Sequence, residues 1–242
     1  MNMGADQVTT LTFFRYSSLK QKLWAFWMMQ FAHGPLSRTK GLQFYKLLGS
    51  GKVGFNPLPD WSVYGLLQVW ENEEKANSFF DTSDLMESYQ RKSTEQWTLY
   101  MGNISAKGKW SGSNPFIESN TLSEHNPYIS VITRATIKLR WLIRFWNYVP
   151  TSRQPLTTNK GLVFTKGVGE APFIQMATFS IWRDKESLMD FAYRSKAHRK
   201  AIEKTRQLDW YGEEMFSRFQ PYKSMGTWNG KDPLPELRTY LK

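Results

Sequence analysis

An internal repeat constrains the fold of this chain more than any other feature of its sequence. KGLQFYKLLGSG at residues 40–51 resembles KGLVFTKGVGEA at 160–171, and two further blocks recur in the same order. The equivalent residues are 120, 112 and 118 positions apart in the pairs Gly41 and Gly161, Trp70 and Trp182, and Trp110 and Trp228. Three ordered blocks at nearly one spacing are hard to obtain by chance. The sequence therefore predicts a tandem duplication with a unit of roughly 105 residues.

Each copy shows the same order of secondary structure. A strand (10–17 or 128–135) precedes an amphipathic helix, two strands joined by a Gly-rich turn, a second helix and a last strand near KWSG or TWNG. This βαββαβ order is the ferredoxin-like unit. We expect an α+β fold in which units at residues 8–116 and 127–230 close one barrel within the chain, followed by a tail at 231–242.

Composition narrows the chemistry. There is no cysteine, so disulfides, zinc ribbons, iron–sulfur clusters and thiolate nucleophiles are excluded, which fits a cytoplasmic protein. The three scattered histidines do not favour a non-haem iron site. GSGKVGF at 49–55 is Gly-rich, but it joins two strands and its counterpart GVGEAPF lacks the lysine, so we predict a hairpin loop and no phosphate cradle. No RNP-like segment supports nucleic-acid binding, despite the net charge of +11.

Two segments combine aromatic residues with cations. LKQKLWAFWMMQFAHGPL at 19–36 has apolar residues at helical spacing and stops at Gly34-Pro35, and IKLRWLIRFWNYVP at 137–150 alternates aromatic residues with basic ones. Helices of this kind either pack on a core or lie in the headgroup layer of a membrane. No run of about 18 apolar residues predicts a membrane span.

Taken together, these segments resemble a known family. The opening LTFFRYSSLKQKLWAFWMMQF, the segments FAYRSKAHRKAI and WYGEEMFSRF and the closing GTWNGKDPL are similar, in this order, to the spheroidene monooxygenases, the acyclic carotenoid 2-ketolases. The resemblance runs from about residue 10 to 234. It implies a haem-containing oxygenase on the dimeric α/β-barrel scaffold that aldoxime dehydratases also use. It implies haem b more firmly than a carotenoid, because fold does not fix function.

The resemblance points to His198 as the axial ligand of the haem iron. His198 lies 16 residues after Trp182, and the same step from Trp70 reaches Met86, so the two copies differ at this position. We expect the C-terminal half to bind haem and the N-terminal half to be blocked. Arg194, one helical turn before His198, is a candidate partner of a haem propionate; the alternative is a solvated arginine. His33, at the end of the first helix, and His125, in the linker, are expected to have no ligand role.

The implied reaction is oxygenation of an apolar substrate by dioxygen or a peroxide. Two successive hydroxylations of one carbon would give a gem-diol, which loses water to form a ketone. An external electron donor is required, and an anionic membrane surface and a second copy of the chain are further candidate partners. The expected location is cytoplasmic, peripheral on the inner face of the cell membrane. A haem enzyme acting on a small soluble substrate and a non-enzymatic haem-binding protein stay open as alternatives.

Overall fold

The computed structural model describes residues 6–52, 56–148, 159–194 and 208–239. Eight strands in these ranges form a closed antiparallel barrel in the order β1-β3-β2-β6-β7-β5-β8-β4. The strands are β1 (Val8–Arg15), β2 (Leu42–Lys52), β3 (Asn56–Trp70), β4 (Glu95–Gly108), β5 (Ile129–Ile137), β6 (Leu162–Ala171), β7 (Gln175–Trp182) and β8 (Tyr211–Gly226). The predicted intrachain α+β barrel is confirmed.

Helices lie outside the barrel. They are α1 (Leu19–Phe31), α2 (His33–Ser37), α3 (Glu73–Thr82), α4 (Asp84–Lys92), α5 (Leu142–Tyr148) and α6 (Lys185–Met189). Short 3₁₀ segments cover Leu139–Trp141 and Pro235–Thr239, and a π-helical turn covers Asp190–Arg194.

Each half contributes one four-stranded sheet with the ferredoxin-like order. The first half supplies β4-β1-β3-β2 and the second supplies β8-β5-β7-β6. The sheets join at two junctions, a long one between β4 and β8 and a short one between β2 and β6. The domain boundaries at residues 116 and 127 stay predictions, since the two halves close a single barrel.

One core fills the barrel and is shared by both halves. Phe13 of β1 is fully buried and has its ring centroid 5.9 Å from Phe179 of β7 and 5.8 Å from Trp228. Burial of a large side chain of this kind stabilises the fold by about 2–3 kcal/mol. Because strands of both halves supply this core, neither sheet encloses it alone.

The repeated Trp-x-Gly turns adopt the same backbone conformation in both copies. Ser111 and Gly112 have positive φ angles, as do Asn229 and Gly230. Two consecutive residues in this left-handed region form the tight turn that reverses the chain after β4 and after β8. Trp110 and Trp228 each begin such a turn, and both are buried.

Local capping explains where the helices begin, and the structure shortens one predicted helix. Ser18 and Gln21 form a capping box at the start of α1. The predicted helix at 19–36 ends earlier, because α1 stops at Phe31 and the segment His33–Ser37, which contains Gly34-Pro35, forms the separate helix α2. The second helix of the first repeat is divided into α3 and α4, since Ser83 follows the end of α3 and caps the start of α4.

Candidate functional site

The short β2–β6 junction has almost no side chains on its outer side. The junction consists of the pairs Gly49 with Gly169 and Ser50 with Val168. A Cβ atom on Gly169 would lie 2.3 Å from the carbonyl oxygen of Gln175, so only glycine fits there, whereas a Cβ on Gly49 would have its nearest neighbour at 3.8 Å. The outer surface at this junction is therefore backbone, and it forms the floor of a depression.

This depression is an apolar groove with aromatic walls. Its volume is about 270 Å³, and it lies between α1, the β2–β6 junction and α5. Phe26 of α1 packs on Trp61 with ring centroids 5.3 Å apart, which forms one wall. Trp146 of α5 packs on Phe173 at 6.0 Å and donates a hydrogen bond from Nε1 to its carbonyl oxygen, which forms the other. Each half of the chain thus supplies one wall.

Ionic groups at the groove are already paired. Asp60 accepts a hydrogen bond from Lys166 at 2.8 Å and further bonds from Ser62. Burial acts to raise the pKa of Asp60, but the hydrogen bonds from Lys166 and Ser62 and the lysine charge outweigh it and hold the pKa below its usual value. Because Asp60 is already neutralised by Lys166, the groove is suited to an apolar ligand that needs few polar anchors.

From its floor the groove continues onto the outer face of the C-terminal sheet. That face can be compared residue by residue with the N-terminal sheet, because both have the same strand register: Phe14 pairs with Tyr64 as Ala135 pairs with Met176. Equivalent outward positions are Phe14 and Ala135, Leu66 and Thr178, Leu47 and Gly167, and Tyr45 and Thr165. At each of these four positions the side chain of the C-terminal face is smaller than its equivalent on the N-terminal face.

The N-terminal face is filled by its own side chains. Phe14 stacks on Tyr89 of α4 at 4.6 Å, and Trp24 of α1 contacts the same tyrosine at 5.3 Å. Met86, which the sequence aligns with His198, is fully buried in this cluster. On the C-terminal face, by contrast, Thr133 is exposed in the middle of β5. The two faces therefore differ in the space they offer to a planar ligand.

An arginine on the C-terminal face was not singled out by the sequence. Arg218 of β8 pairs with Val131, so it projects outward, and it occupies the place of Tyr100 in the first half. Its guanidinium lies over the ring of Phe216 at 5.3 Å. The Nε atom is buried and has no hydrogen-bond partner among the described residues, so it is free to donate to an anionic group. The signal available in the sequence was the exchange of tyrosine for arginine between the repeats.

A buried ionic cluster inside the barrel was also missed. Arg134 of β5 is 2% exposed and occupies the position of Phe13 in the first half. It pairs with Glu213 and lies 3.6 Å from Glu170, which also accepts hydrogen bonds from Lys46 and from Trp110 Nε1. Burial acts to raise the pKa of Glu213, but backbone N–H groups of residues 112 and 111 and the arginine charge hold it below its usual value. The cluster ties the Trp110 turn to four strands, β2, β5, β6 and β8.

The ligand residues predicted from the sequence are placed only in part. His198 lies outside the described residues, and Arg194 is described as backbone at the end of the π-helical turn, without its side chain. His33 is exposed, with Nδ1 3.1 Å from the hydroxyl of Tyr45, and His125 is exposed in the linker. Within the described ranges, no group of three or more His, Cys, Asp or Glu side chains could hold a metal ion. No helix there is long and apolar enough to cross a bilayer.

A second cavity, of about 350 Å³, lies at the opposite junction, and most of the residues that line it are of polar types. Its rim includes Asp6, which accepts hydrogen bonds from Ser119, Asn120 and Thr121 of the linker. The hydrogen bond from Thr121 is the largest effect on the pKa of Asp6 and lowers it. Partial burial acts in the opposite direction, but the pKa stays below its usual value. These contacts hold the linker against the barrel. They account for the polar residues at this cavity, so no ligand is needed to explain them.

Relatives of the chain include three spheroidene monooxygenases. The Cereibacter sphaeroides protein is 37% identical over 235 residues, which cover 96% of this chain and 72% of that protein. The Rhodobacter capsulatus protein is 33% identical over 230 residues, covering 94% and 95%. The Rubrivivax gelatinosus protein is 32% identical over 211 residues, covering 87% and 80%. No protein-family model matches the chain.

Solved structures with a similar fold include two aldoxime dehydratases. One, in complex with butyraldoxime, has a TM-score of 0.65 at 9% sequence identity and covers 98% of this chain and 87% of its own. The other has a TM-score of 0.57 at 11% identity, with 91% and 83% covered. Identities this low show a shared fold and leave the activity open.

Proposed function

Because the chain belongs to the spheroidene monooxygenase family, we propose that it is a monooxygenase of an apolar, carotenoid-like substrate that uses haem b held by its C-terminal half. The observation that carries the haem assignment is the contrast between the two sheet faces. Large side chains fill the outer face of the first half, whereas Ala135, Gly167 and Thr178 leave room on the second.

The second half has the types of residue that a haem group requires. A planar macrocycle needs a flat face of small side chains, and its propionates need cationic partners. Arg218 offers a buried Nε that has no partner among the described residues. Arg194 follows from the sequence as a second candidate, and His198, four residues further along the chain, is the residue that would bind the haem iron. Haem iron bound by histidine supplies the activation of dioxygen that an unreactive C–H bond requires.

The groove would bind and orient the substrate. Its aromatic walls fit a polyene, and its ionic residues are paired, so an apolar chain would not meet an uncompensated charge. This lining favours the apolar substrate over a small soluble one. The volume of about 270 Å³ is below the roughly 300–1,000 Å³ that encloses a drug-sized ligand, so the groove would hold one end of a long polyene.

A monooxygenation inserts one oxygen atom of dioxygen into the C–H bond and reduces the other to water. Each turnover therefore consumes two protons and two electrons. We assign the supply of the electrons to a separate electron-donor protein. A second hydroxylation at the same carbon would give a gem-diol and, by loss of water, the ketone. We propose a cytoplasmic enzyme that attaches peripherally to the anionic inner face of the cell membrane, in keeping with its net charge of +11.

Absorption spectroscopy tests the cofactor and labelled dioxygen tests the reaction. Wild-type protein supplied with haem should show a Soret band, which His198→Ala should lose or shift strongly while His33→Ala and His125→Ala keep it. With an electron donor and detergent-solubilised carotenoid, isotopically labelled dioxygen should deliver its label to the product. A protein that gains no Soret band in excess haem, or a His198→Ala spectrum identical to wild type, would contradict the haem assignment. The label should be read in the singly hydroxylated product, because a ketone formed through a gem-diol exchanges its oxygen with water. An unlabelled hydroxyl group in that product would contradict the monooxygenase.

A further inference from the structure

Helix α1 is apolar on two opposite sides. Its inward side, including Trp24, Ala25 and Met28, packs on the N-terminal sheet. Its outward side carries a stripe of exposed residues at helical spacing, in which Trp27 is 56% and Phe31 is 63% exposed. The complete stripe is Leu19, Leu23, Phe26, Trp27 and Phe31. A helix that is apolar all round is normally buried, so the outward stripe calls for a partner.

This stripe runs into the rim of the groove. Phe26 belongs both to the stripe and to the groove wall, where it packs on Trp61, itself 51% exposed. On the far side of the mouth, α5 presents Ile143, which is 80% exposed, next to the Trp146–Phe173 wall. We define the docking face as the α1 stripe together with Trp61, Phe173 and Ile143. The groove opens within this face.

The net positive charge of the chain resides in two segments, one containing α1 and the other containing α5. Residues 7–59, which include α1, contain seven Lys and Arg and no Asp or Glu. Residues 126–169, which include α5, likewise contain seven Lys and Arg and no Asp or Glu. All 21 acidic residues therefore lie elsewhere in the sequence. Lys20, Arg140 and Arg144 are exposed beside the apolar residues of the face.

From these observations we infer that the docking face binds the surface of an anionic lipid bilayer and that the groove mouth opens into that bilayer. Exposed Trp and Phe side chains suit the headgroup boundary, and the surrounding cations attract anionic headgroups. A second copy of the chain fits the face less well, because it would bring two surfaces of net positive charge into contact. The inference rests on the proposed function only in its account of the substrate.

The arrangement gives a route for the substrate. A polyene dissolved in the bilayer could enter the groove by one end, without passing through water, while the rest of the molecule stays among the acyl chains. The small volume of the groove then matches oxidation at a chain end. Binding to the bilayer would be needed for turnover of membrane-dissolved carotenoid and dispensable for carotenoid in detergent.

Vesicle flotation of the full chain tests the docking face. We expect wild-type protein to float with phosphatidylglycerol–phosphatidylcholine vesicles at low ionic strength, and at least ten-fold less with phosphatidylcholine alone. Trp27→Ser combined with Phe31→Ser should reduce flotation at least ten-fold, and Lys20→Gln combined with Lys22→Gln several-fold. The matched controls are Ile117→Ser, an exposed apolar residue of the linker, and Lys107→Gln with Lys109→Gln at the end of β4.

Activity measurements separate this inference from the proposed function. The Trp27→Ser, Phe31→Ser variant should oxidise carotenoid in detergent as wild type does and lose most turnover of carotenoid in vesicles. Wild type that oxidises detergent-solubilised carotenoid but does not float overturns the docking face alone. Wild type that floats through this face but oxidises no carotenoid supports the face and overturns the proposed function. If sedimentation shows a dimer that the double variant converts to monomer, without vesicle binding by wild type, the face joins two copies and the inference is wrong.

Discussion

Ala135 occupies in the second half the position that Phe14 occupies in the first. Each pairs with the equivalent residue of the neighbouring strand, Met176 for Ala135 and Tyr64 for Phe14, and each projects to the outer face of its sheet. The second face therefore lacks one aromatic ring at this position. In the first half that ring stacks on Tyr89 and helps to fill the space below α4.

Refilling the C-terminal face should prevent cofactor binding. In Ala135→Phe combined with Thr178→Leu, the side chains of the first half are restored, so we expect the Soret band of haem-supplied protein to fall at least ten-fold. Both positions face outward from the barrel, and the circular dichroism spectrum should therefore stay that of wild type. Asn120→Phe, at an exposed linker position, is the control for added aromatic volume. Normal haem content in the double variant would show that the cofactor binds elsewhere.

Arg218 should contribute to haem affinity through its charge. Arg218→Leu removes the buried donor, and loss of a charge-assisted hydrogen bond costs about 1.5–3 kcal/mol, which corresponds to roughly ten- to hundred-fold weaker haem binding in a titration. Arg218→Lys should recover part of the affinity. Arg183→Leu, at an exposed position of the same half, should bind haem as wild type does. Equal affinities for Arg218→Leu and Arg183→Leu would rule out a propionate contact.

Gly49 offers a way to fill the groove while sparing the cofactor. A side chain there projects from the groove floor, and its Cβ meets nothing closer than 3.8 Å. Since valine is well tolerated in strands, Gly49→Val should fold, keep its Soret band and lose at least ten-fold in carotenoid turnover. Gln43→Val, on the same strand and outside the groove lining, is the control. Unchanged turnover in Gly49→Val would remove the groove from the substrate path.

The Arg134–Glu213 pair should make the barrel sensitive to acid. The pKa of Glu213 is lower in the folded protein than its ordinary value, so its stabilising effect is present above about pH 4.5 and is lost as the pH falls through the folded-state pKa. Glu213→Gln leaves Arg134 buried with less compensation. It should lower the free energy of unfolding at neutral pH by about 3 kcal/mol, measured by urea denaturation.

Glu95 provides the control for that measurement. It is the repeat equivalent of Glu213, it accepts a hydrogen bond from the Gly230 N–H as Glu213 does from Gly112, and it pairs with Arg15 at 2.9 Å. The Arg15 side chain is 30% exposed, whereas Arg134 is 2% exposed. Glu95→Gln should therefore cost no more than about 1 kcal/mol. A loss as large as that of Glu213→Gln would mean that the turn contacts, and not the buried arginine, set the stability.

The sequence by itself determined the architecture. The spacing of Gly41 and Trp70 from their copies indicated a duplication, and the element order within each copy indicated ferredoxin-like units that close one barrel. These inferences succeed because strand and helix periodicity, turn glycines and repeat spacing are local properties of the chain. Met86, the residue that the sequence aligns with His198, is buried in the first half; that this half holds no cofactor stays a prediction.

Only the tertiary structure decided where space and charge lie. Periodicity could not show which side of α1 is exposed, because both sides are apolar. The groove depends on Gly49 meeting Gly169, and the buried cluster depends on Arg134 projecting inward to Glu213; each pair is far apart in the sequence. Residues that are distant in sequence become neighbours only when the barrel closes in one register. That register is fixed by the packing of the whole core, and no single segment specifies it.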